Sequence, residues 1–563
     1  INQSINQSIN QSINRDIDDV NGLARQLLLS LASATHSSNR FTSTTARMWR
    51  STRGLSLQVS RIHQLRLTNL GSRSFSATAR RTRSKLGGGA ALSAVALAGC
   101  FAWWQHATSA ANRPEEHLSA TTYYRATLPE EPTPRPALAA GEQVQVDVCV
   151  VGGGLAGLAT ALGVGERGGS SIVLEANRLG WGGSGMNGGM AIAGFMLETD
   201  ELIDEIGAEA ATTLVRQSLE AQRLLRQRIR SYGIECDTDD SGYLCVTCFP
   251  SDEGARELQH EVQHVNQLLG TELSFVPTSR VRDMLKTDFV SYGVLDPSSF
   301  WLNPLKLVLG LARAVERNGG RICEATRAVL VEPVKQGAAR WRVTTADGAE
   351  VLASHVVYAG GPHLERRVSW RVASAPVPIL TYIMVTEPLG ERLRQAIDTP
   401  YMVCDDRFAL SYYRVLPDGR LFWGGLGQTL PVPLDKLEHT MRAELAQVYP
   451  QLADVKVDYL WGGTIGCGLD WMPLIGQLRP GEWYAAGFGG HGIVPTTLAG
   501  ELIASAICSN DTRYRQYQEL FPLQFAGGVV GSLVAEALVL WYQTWDRIGI
   551  WRAQRQANNK QQQ

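Results

Sequence analysis

Between Val148 and Glu175 the chain sets an apolar run, the turn Gly152-Gly-Gly154-Leu-Ala-Gly157, an Ala/Leu-rich stretch and a second apolar run, Ser171-Ile-Val-Leu, ending in an acid. This G-x-G-x-x-G pattern between two strand-like runs predicts a strand–turn–helix–strand unit that cradles a dinucleotide. Gly152 permits the tight turn, Gly154 lets backbone approach a pyrophosphate, and Gly157 lets the helix lie close to the sheet. The helix N-terminus, opening at Leu155 and Ala156, offers free N–H groups and partial positive charge to phosphate oxygens. Glu175 follows Gly152 by 23 residues. A carboxylate there accepts hydrogen bonds from a ribose 2′-hydroxyl, which argues against a 2′-phosphate and hence against NADP.

The near-zero net charge of −1 hides an asymmetry. No acid occurs between Asp19 and Glu115, while 13 Arg/Lys do, which leaves 39 basic against 51 acidic residues beyond position 114. A body near −12 has no basic surface suited to nucleic acid. Nine cysteines at irregular spacing predict no disulfide framework. Cys245-Val-Thr-Cys248 is an isolated pair without the partners of a zinc site, so buried thiols are expected and no metal is predicted.

The first 141 residues read as an address and a tether. Ile-Asn-Gln-Ser occurs three times before Ile13 and the first methionine is Met48, so residues 1–47 are expected to be a non-native or disordered leader. Residues 48–85 are Arg/Ser-rich and acid-free, like an organellar transit peptide, with Arg73-Ser-Phe75-Ser76 resembling a processing site. Residues 86–104 carry no charge and match a transmembrane helix in length, although a cleaved sorting signal competes. Residues 105–141 read as a Pro-rich linker. Together these predict a mitochondrial protein anchored in the inner membrane, with a plastid as the rival address.

After Glu175 and Ala176, the segment Arg178-Leu-Gly180-Trp-Gly-Gly183-Ser184-Gly-Met-Asn187-Gly188-Gly189 brings bare backbone to a ligand. Here the chain resembles the FAD-dependent oxidoreductases of the D-amino-acid oxidase superfamily, nearest the γ-glutamylputrescine-oxidase-like branch. Gly183 and Met186 stand where that branch carries Ala and Arg. The likeness runs from about 143 to 509. It includes Arg327-Ala-Val329, His355-Val-Val-Tyr-Ala359-Gly360-Gly361, Trp461 to Gly476, and Trp483-Tyr-Ala-Ala-Gly487-Phe-Gly489-Gly490-His491-Gly492. The resemblance implies noncovalent FAD, with Val329 backbone against adenine and Ala359-Gly360 beneath the pyrophosphate. It also sets the 487–492 turn and its helix N-terminus at the flavin pyrimidine carbonyl. His491 would add a donor there or bond backbone, and is not expected to be a general base.

The resemblance further implies an α/β protein: a discontinuous Rossmann-like FAD-binding domain over 142–510, with an inserted mixed-sheet α+β substrate domain (about 195–300 and 371–457). Strand-like alternation covers Thr381–Glu387 and Phe408–Val415, and Pro417-Asp-Gly419 marks a turn. Tyr412, Tyr413 and Arg414 are candidates for gripping substrate, Arg414 through a carboxylate. Because alternation aims neighbours at opposite faces, at most one tyrosine should enter the pocket. Residues 511–563 should form a packing or surface-lying helix and a polar tail. The expected function is oxidation of the C–N bond of a small amine or amino acid, with electrons passed to oxygen or another acceptor. The alternative is a flavin-bearing assembly factor for a respiratory complex. Oligomeric state is left open.

Overall fold

The structure, a computed structural model, describes residues 122–335 and 339–561. The leader, the transit-like segment and the apolar run expected within 1–104 lie outside the described residues.

The apolar run before the glycine turn is the strand Gln143–Val151, whose second half is fully buried. It is buried because parallel neighbours flank it: Val148 pairs with His355 of Glu350–Tyr358 on one side and with Ser171 of Ser171–Leu174 on the other. A strand covered on both faces of a parallel sheet reads as continuous apolar sequence, not as alternation. Arg321–Cys323 extends the parallel sheet beyond Ser171–Leu174, and Glu482–Ala486 extends it beyond Glu350–Tyr358. Leu474–Arg479 closes one edge antiparallel. Two antiparallel strands, Ala328–Pro333 and Trp341–Thr345, append to Glu350–Tyr358.

The glycine turn feeds the helix Leu155–Gly165, buried at nearly every position. An all-apolar helix of this kind needs cover on every side. The sheet and the helix Pro304–Arg317 supply part of it and the helix Ile493–Ser509 the rest. The two helices meet through small residues. A Cβ on Gly500 would lie 2.5 Å from the Ala159 methyl, and one on Gly163 would lie 2.8 Å from that of Ala504.

The second sheet runs in the order Val457–Cys467, Val377–Thr386, Leu421–Gln428, Tyr412–Val415, Met402–Asp405, Tyr243–Val246, Gly293–Asp296, Ser274–Val276. All its pairings are antiparallel except Met402–Asp405 with Tyr243–Val246, so the sheet is mixed. It packs over a core of its own around Tyr382, Tyr413, Trp423, Met441 and Tyr449.

Two segments outside these sheets are docked. In the expected linker, Tyr123–Ala126 forms a helical turn whose Tyr124 is fully buried. Its hydroxyl donates to the Asn187 carbonyl at 2.8 Å and its ring meets the edge of Trp461. Further on, Leu138 is buried and the Arg135 amide donates to Glu324 at 2.6 Å. At the other end, Gly528–Gln561 is helical and seats Val539 and Ile550 in the body. Glu536 accepts from both the amide and the hydroxyl of Thr429, each at 2.7 Å. Among the described residues no helix is long and apolar enough to cross a membrane.

Candidate active site

Both sheets and both central helices converge on one cavity of about 520 Å³, within the range of small-molecule sites. At one end stand Gly152, Gly153, Gly154, Leu155 and Ala156, with Glu175 and Ala176 at the end of the neighbouring strand. Gly152 sits at φ +111°, and a Cβ there would lie 2.7 Å from the Ala359 carbonyl. The two crossing loops therefore touch through backbone. The Glu175 carboxylate accepts from the Gly153 amide at 2.8 Å and from the Asn177 amide at 2.9 Å. Burial raises its pKa, and those two amides partly offset the rise. Ser184 accepts from the Leu155 amide at 3.0 Å, which places a hydroxyl at the helix N-terminus.

Gly157 and Gly189 do not line the cavity but act one layer behind it. A Cβ on Gly157 would lie 2.0 Å from the Gly152 carbonyl oxygen, and one on Gly189 2.1 Å from that of Leu302. Val329 is also off the cavity, while Arg327 and Ala328, just before it, are on it. Arg327 is held by Glu365 at 2.8 Å. Asn187 ties its own loop, donating to the Gly183 and Ser184 carbonyls and accepting from the Gly189 amide. Gly183, Ser184, Asn187, Gly188, Ala359 and Gly360 all line the cavity, as do Gly487, Gly489, Gly490, His491 and Gly492.

The 487–492 turn opens the helix Ile493–Ser509 without a side-chain cap, so a second helix N-terminus faces the cavity with unsatisfied N–H groups and partial positive charge. Gly487 and Gly489 have φ +70° and +60°. A Cβ on Gly489 would strike the Met196 sulfur at 2.1 Å, and the Gly490 amide donates to that sulfur at 3.1 Å. His491 Nε2 lies 3.0 Å from the Ile192 carbonyl oxygen and so carries the ring proton. Burial lowers its pKa. A neutral ring whose one N–H is committed to backbone orders the turn.

The mixed sheet roofs the other end with Ile379, Thr381, Tyr243, Cys404, Tyr412, Gly425 and Gly427. Tyr412 lies between two glycines: a Cβ on Gly188 would sit 2.8 Å from its ring, and one on Gly424 only 2.1 Å. Burial pushes its phenol up to about 12, against the pull of a hydrogen bond with Thr381. Tyr413 points the other way, stacked on Trp423 and bonded to the Tyr449 hydroxyl at 3.0 Å. Arg414 shares a strand face with Tyr412, yet two residues carry it about 7 Å further along. There it is 2 % exposed, donates to Asp239 at 2.8 Å and lies 4.1 Å over the Trp301 ring. It does not line the cavity and is not placed to grip substrate.

Several lining residues carried no signal in the sequence reading. Glu198, Tyr243 and Cys404 come from segments distant in sequence, and Val539 from the C-terminal helix. Thr464, Ile465, Gly466 and Cys467 come from a block whose family pattern was visible but whose residues were not singled out as ligands.

Comparison with known proteins agrees with this architecture. The model of the family described as FAD dependent oxidoreductase matches residues 147–506. Gamma-glutamylputrescine oxidoreductase of Escherichia coli (strain K12) is 32% identical over 414 residues, covering 73% of this chain and 95% of its own. Among solved structures, glycine oxidase from Geobacillus kaustophilus superposes with a TM-score of 0.55 at 20% identity, covering 68% of this chain and 99% of that one. L-proline dehydrogenase from P. horikoshii gives 0.54 at 19%, covering 69% and 99%. The mitochondrial inner-membrane address and its plastid rival are corrected by these findings. The matched curated relatives are bacterial oxidoreductases, and neither targeting nor membrane association finds support among the described residues.

Proposed function

The chain belongs to the FAD-dependent oxidoreductase family, and from that premise we propose that it oxidises the C–N bond of an amine and passes the electrons to oxygen or another acceptor. The cofactor is FAD, held noncovalently, and the broader activity is that of an oxidoreductase acting on amines or amino acids. FAD, when bound, supplies an acceptor for the hydride leaving the carbon beside the substrate nitrogen.

The residues present fit that cofactor. The Gly152–Gly154 turn, the amides of Leu155 and Ala156 and the Ser184 hydroxyl would hold the pyrophosphate, with Ala359 and Gly360 beneath it. Glu175 would take the ribose hydroxyls, and Arg327 and Ala328 would border the adenine. The turn from Gly487 to Gly492 and the N-terminus of Ile493–Ser509 would set positive partial charge against the pyrimidine edge, where negative charge grows on reduction. Tyr412 and the sheet around it would hold the substrate and keep water away.

The observation that carries the reading is the pairing, in one cavity, of two helix N-termini with a roof of apolar and aromatic side chains. No acid–base machinery beyond proton removal from an ammonium is then required, in keeping with the committed His491. Purified protein should be yellow, and acid or heat should release FAD. Anaerobic mixing with a panel of primary and secondary amines and amino acids should bleach the flavin with amines. A folded protein without flavin, or bleaching by no member of the panel, would refute the proposal.

A further inference from the structure

The charged side chains along the cavity are few and unevenly spread. Among the described residues lining it, Arg327 is the one arginine or lysine, and it is paired with Glu365. Glu175, Arg327 and Glu365 thus account for the nucleotide end. Toward the roof the one remaining carboxylate is Glu198, whose surroundings include Tyr243 and Cys245 of one strand and Cys404 of the next. No cation accompanies it there. Arg414, which would have been the clamp for a substrate carboxylate, is turned to Asp239 outside the cavity.

Building on the proposed amine oxidation, we infer that Glu198 receives the ammonium group of the substrate, so that the chamber selects organic cations and offers no site to a carboxylate. Glu198 stands at the N-cap of Thr199–Ile206, where it shares a capping box with Glu201, its amide donating to the Glu201 carboxylate at 3.2 Å. Glu198 lines the cavity and is open to it. A carboxylate open to the cavity, with no cation beside it, gains a charge-assisted hydrogen bond from an incoming ammonium. The groups facing it are Asp200 and Glu201 on its own helix and Tyr243, Cys245 and Cys404 on the sheet, and none is a cation. The protein packed around its carboxyl in the cavity wall, then Glu201 and Asp200, push its pKa up to about 7. The same carboxylate can therefore take one proton from the bound ammonium. The N–H bond breaks, an O–H bond forms on Glu198, and the substrate is left as the neutral amine that hydride loss requires.

Glu198 is a binding and positioning residue in this account, and its test separates binding from turnover. The probes are tert-butylammonium and pivalate, matched in shape, opposite in charge and without a hydrogen on the carbon bearing the charged group. Titrated into the flavin-loaded protein, tert-butylammonium should perturb the flavin absorbance, and its affinity should rise between pH 6 and 8 as Glu198 ionises. Glu198→Gln should weaken it about tenfold and remove that pH dependence, with flavin content unchanged, while Glu198→Asp should retain part of both. Glu201→Ala, which breaks the capping box from its other side, should leave the affinity within about twofold. Pivalate binding as tightly as tert-butylammonium, an unchanged affinity in Glu198→Gln, or equal losses in Glu198→Gln and Glu201→Ala would each overturn the assignment. Failure of every amine to bleach the flavin would count against the proposed oxidation instead, since neither probe is turned over.

Discussion

The two ends of the cavity are made of different material. At the nucleotide end the surface is backbone: glycines at positive φ, loops touching through carbonyls, and two helix N-termini, their helices brought together by Gly163 and Gly500. At the roof it is side chain: Tyr412, Tyr243, Cys404, Glu198 and Val539, gathered from five separate segments. Backbone recognition tolerates almost no added atom. Side-chain recognition can be edited, because each group rests on its own neighbours. On the proposed reading, one part holds the cofactor while the other adapts to a substrate.

Gly157→Val should do the most damage. Its Cβ alone would sit 2.0 Å from the Gly152 carbonyl oxygen, so the glycine turn must distort, at a cost of about 3 kcal/mol or more. The variant should lose its flavin, read as the absorbance ratio of flavin to protein, and its urea midpoint should fall. Retention of both would break the contrast at its backbone end. Arg414→Met comes next and probes whether strand-face partnership with Tyr412 implies a shared role. Losing the bond to Asp239 and the stack on Trp301 should cost about 2 kcal/mol in denaturant melts, with flavin content and KM for amines unchanged. A raised KM at unchanged stability would return Arg414 to the substrate site.

Tyr412→Phe tests the roof directly. It keeps the ring that fills the space between Gly188 and Gly424 and removes only the hydroxyl. Stability should move by less than about 1 kcal/mol, while kcat/KM for amine oxidation falls about tenfold, near 1.4 kcal/mol. A change in flavin affinity in place of that loss would blur the two ends into one. The smallest effect is one of pH. Behind the roof, burial pushes Glu444 up to about 7 and Asp546 up to about 6, against about 4 in the unfolded chain. Between about pH 4 and 7 the folded protein therefore holds protons that the unfolded chain has released. Stability then falls as pH rises through that window and levels above it. Asp546→Asn should flatten part of the slope, a difference of about 2 °C in Tm between pH 5 and 8. A melting temperature that rises with pH over this range would contradict the assignment.

The same contrast governs what was legible beforehand. The dinucleotide turn, Glu175, the loop at Ala359-Gly360 and the turn at Gly487–Gly492 were all readable, because each is a local conformation that only certain residues adopt, at fixed spacing. Val329 lies just off the cavity that Arg327 and Ala328 line, since any residue can offer backbone to a ligand and the strand's start is not marked. Of the roof, only Tyr412 was identified. Alternation separated it from Tyr413, but the equivalence it suggested with Arg414 did not hold. Glu198, Tyr243, Cys404 and Val539 left no trace, as each is an ordinary residue until distant segments meet.

By itself, then, the amino-acid order determined the nucleotide-binding half: a parallel sheet of continuous apolar strands, glycines where backbones must touch, and an acid at the end of the second strand. It also carried the family likeness. Tertiary structure alone decided that Tyr123 and Tyr124 dock instead of forming free linker, that the C-terminal helix supplies Val539 to the cavity, and that Arg414 faces Asp239. The reason is physical. Turn geometry and burial on both faces act over a few residues and are written in local spacing. The destination of a long polar side chain depends on which partner lies within reach, and for Arg414 that partner is 175 residues away in the chain.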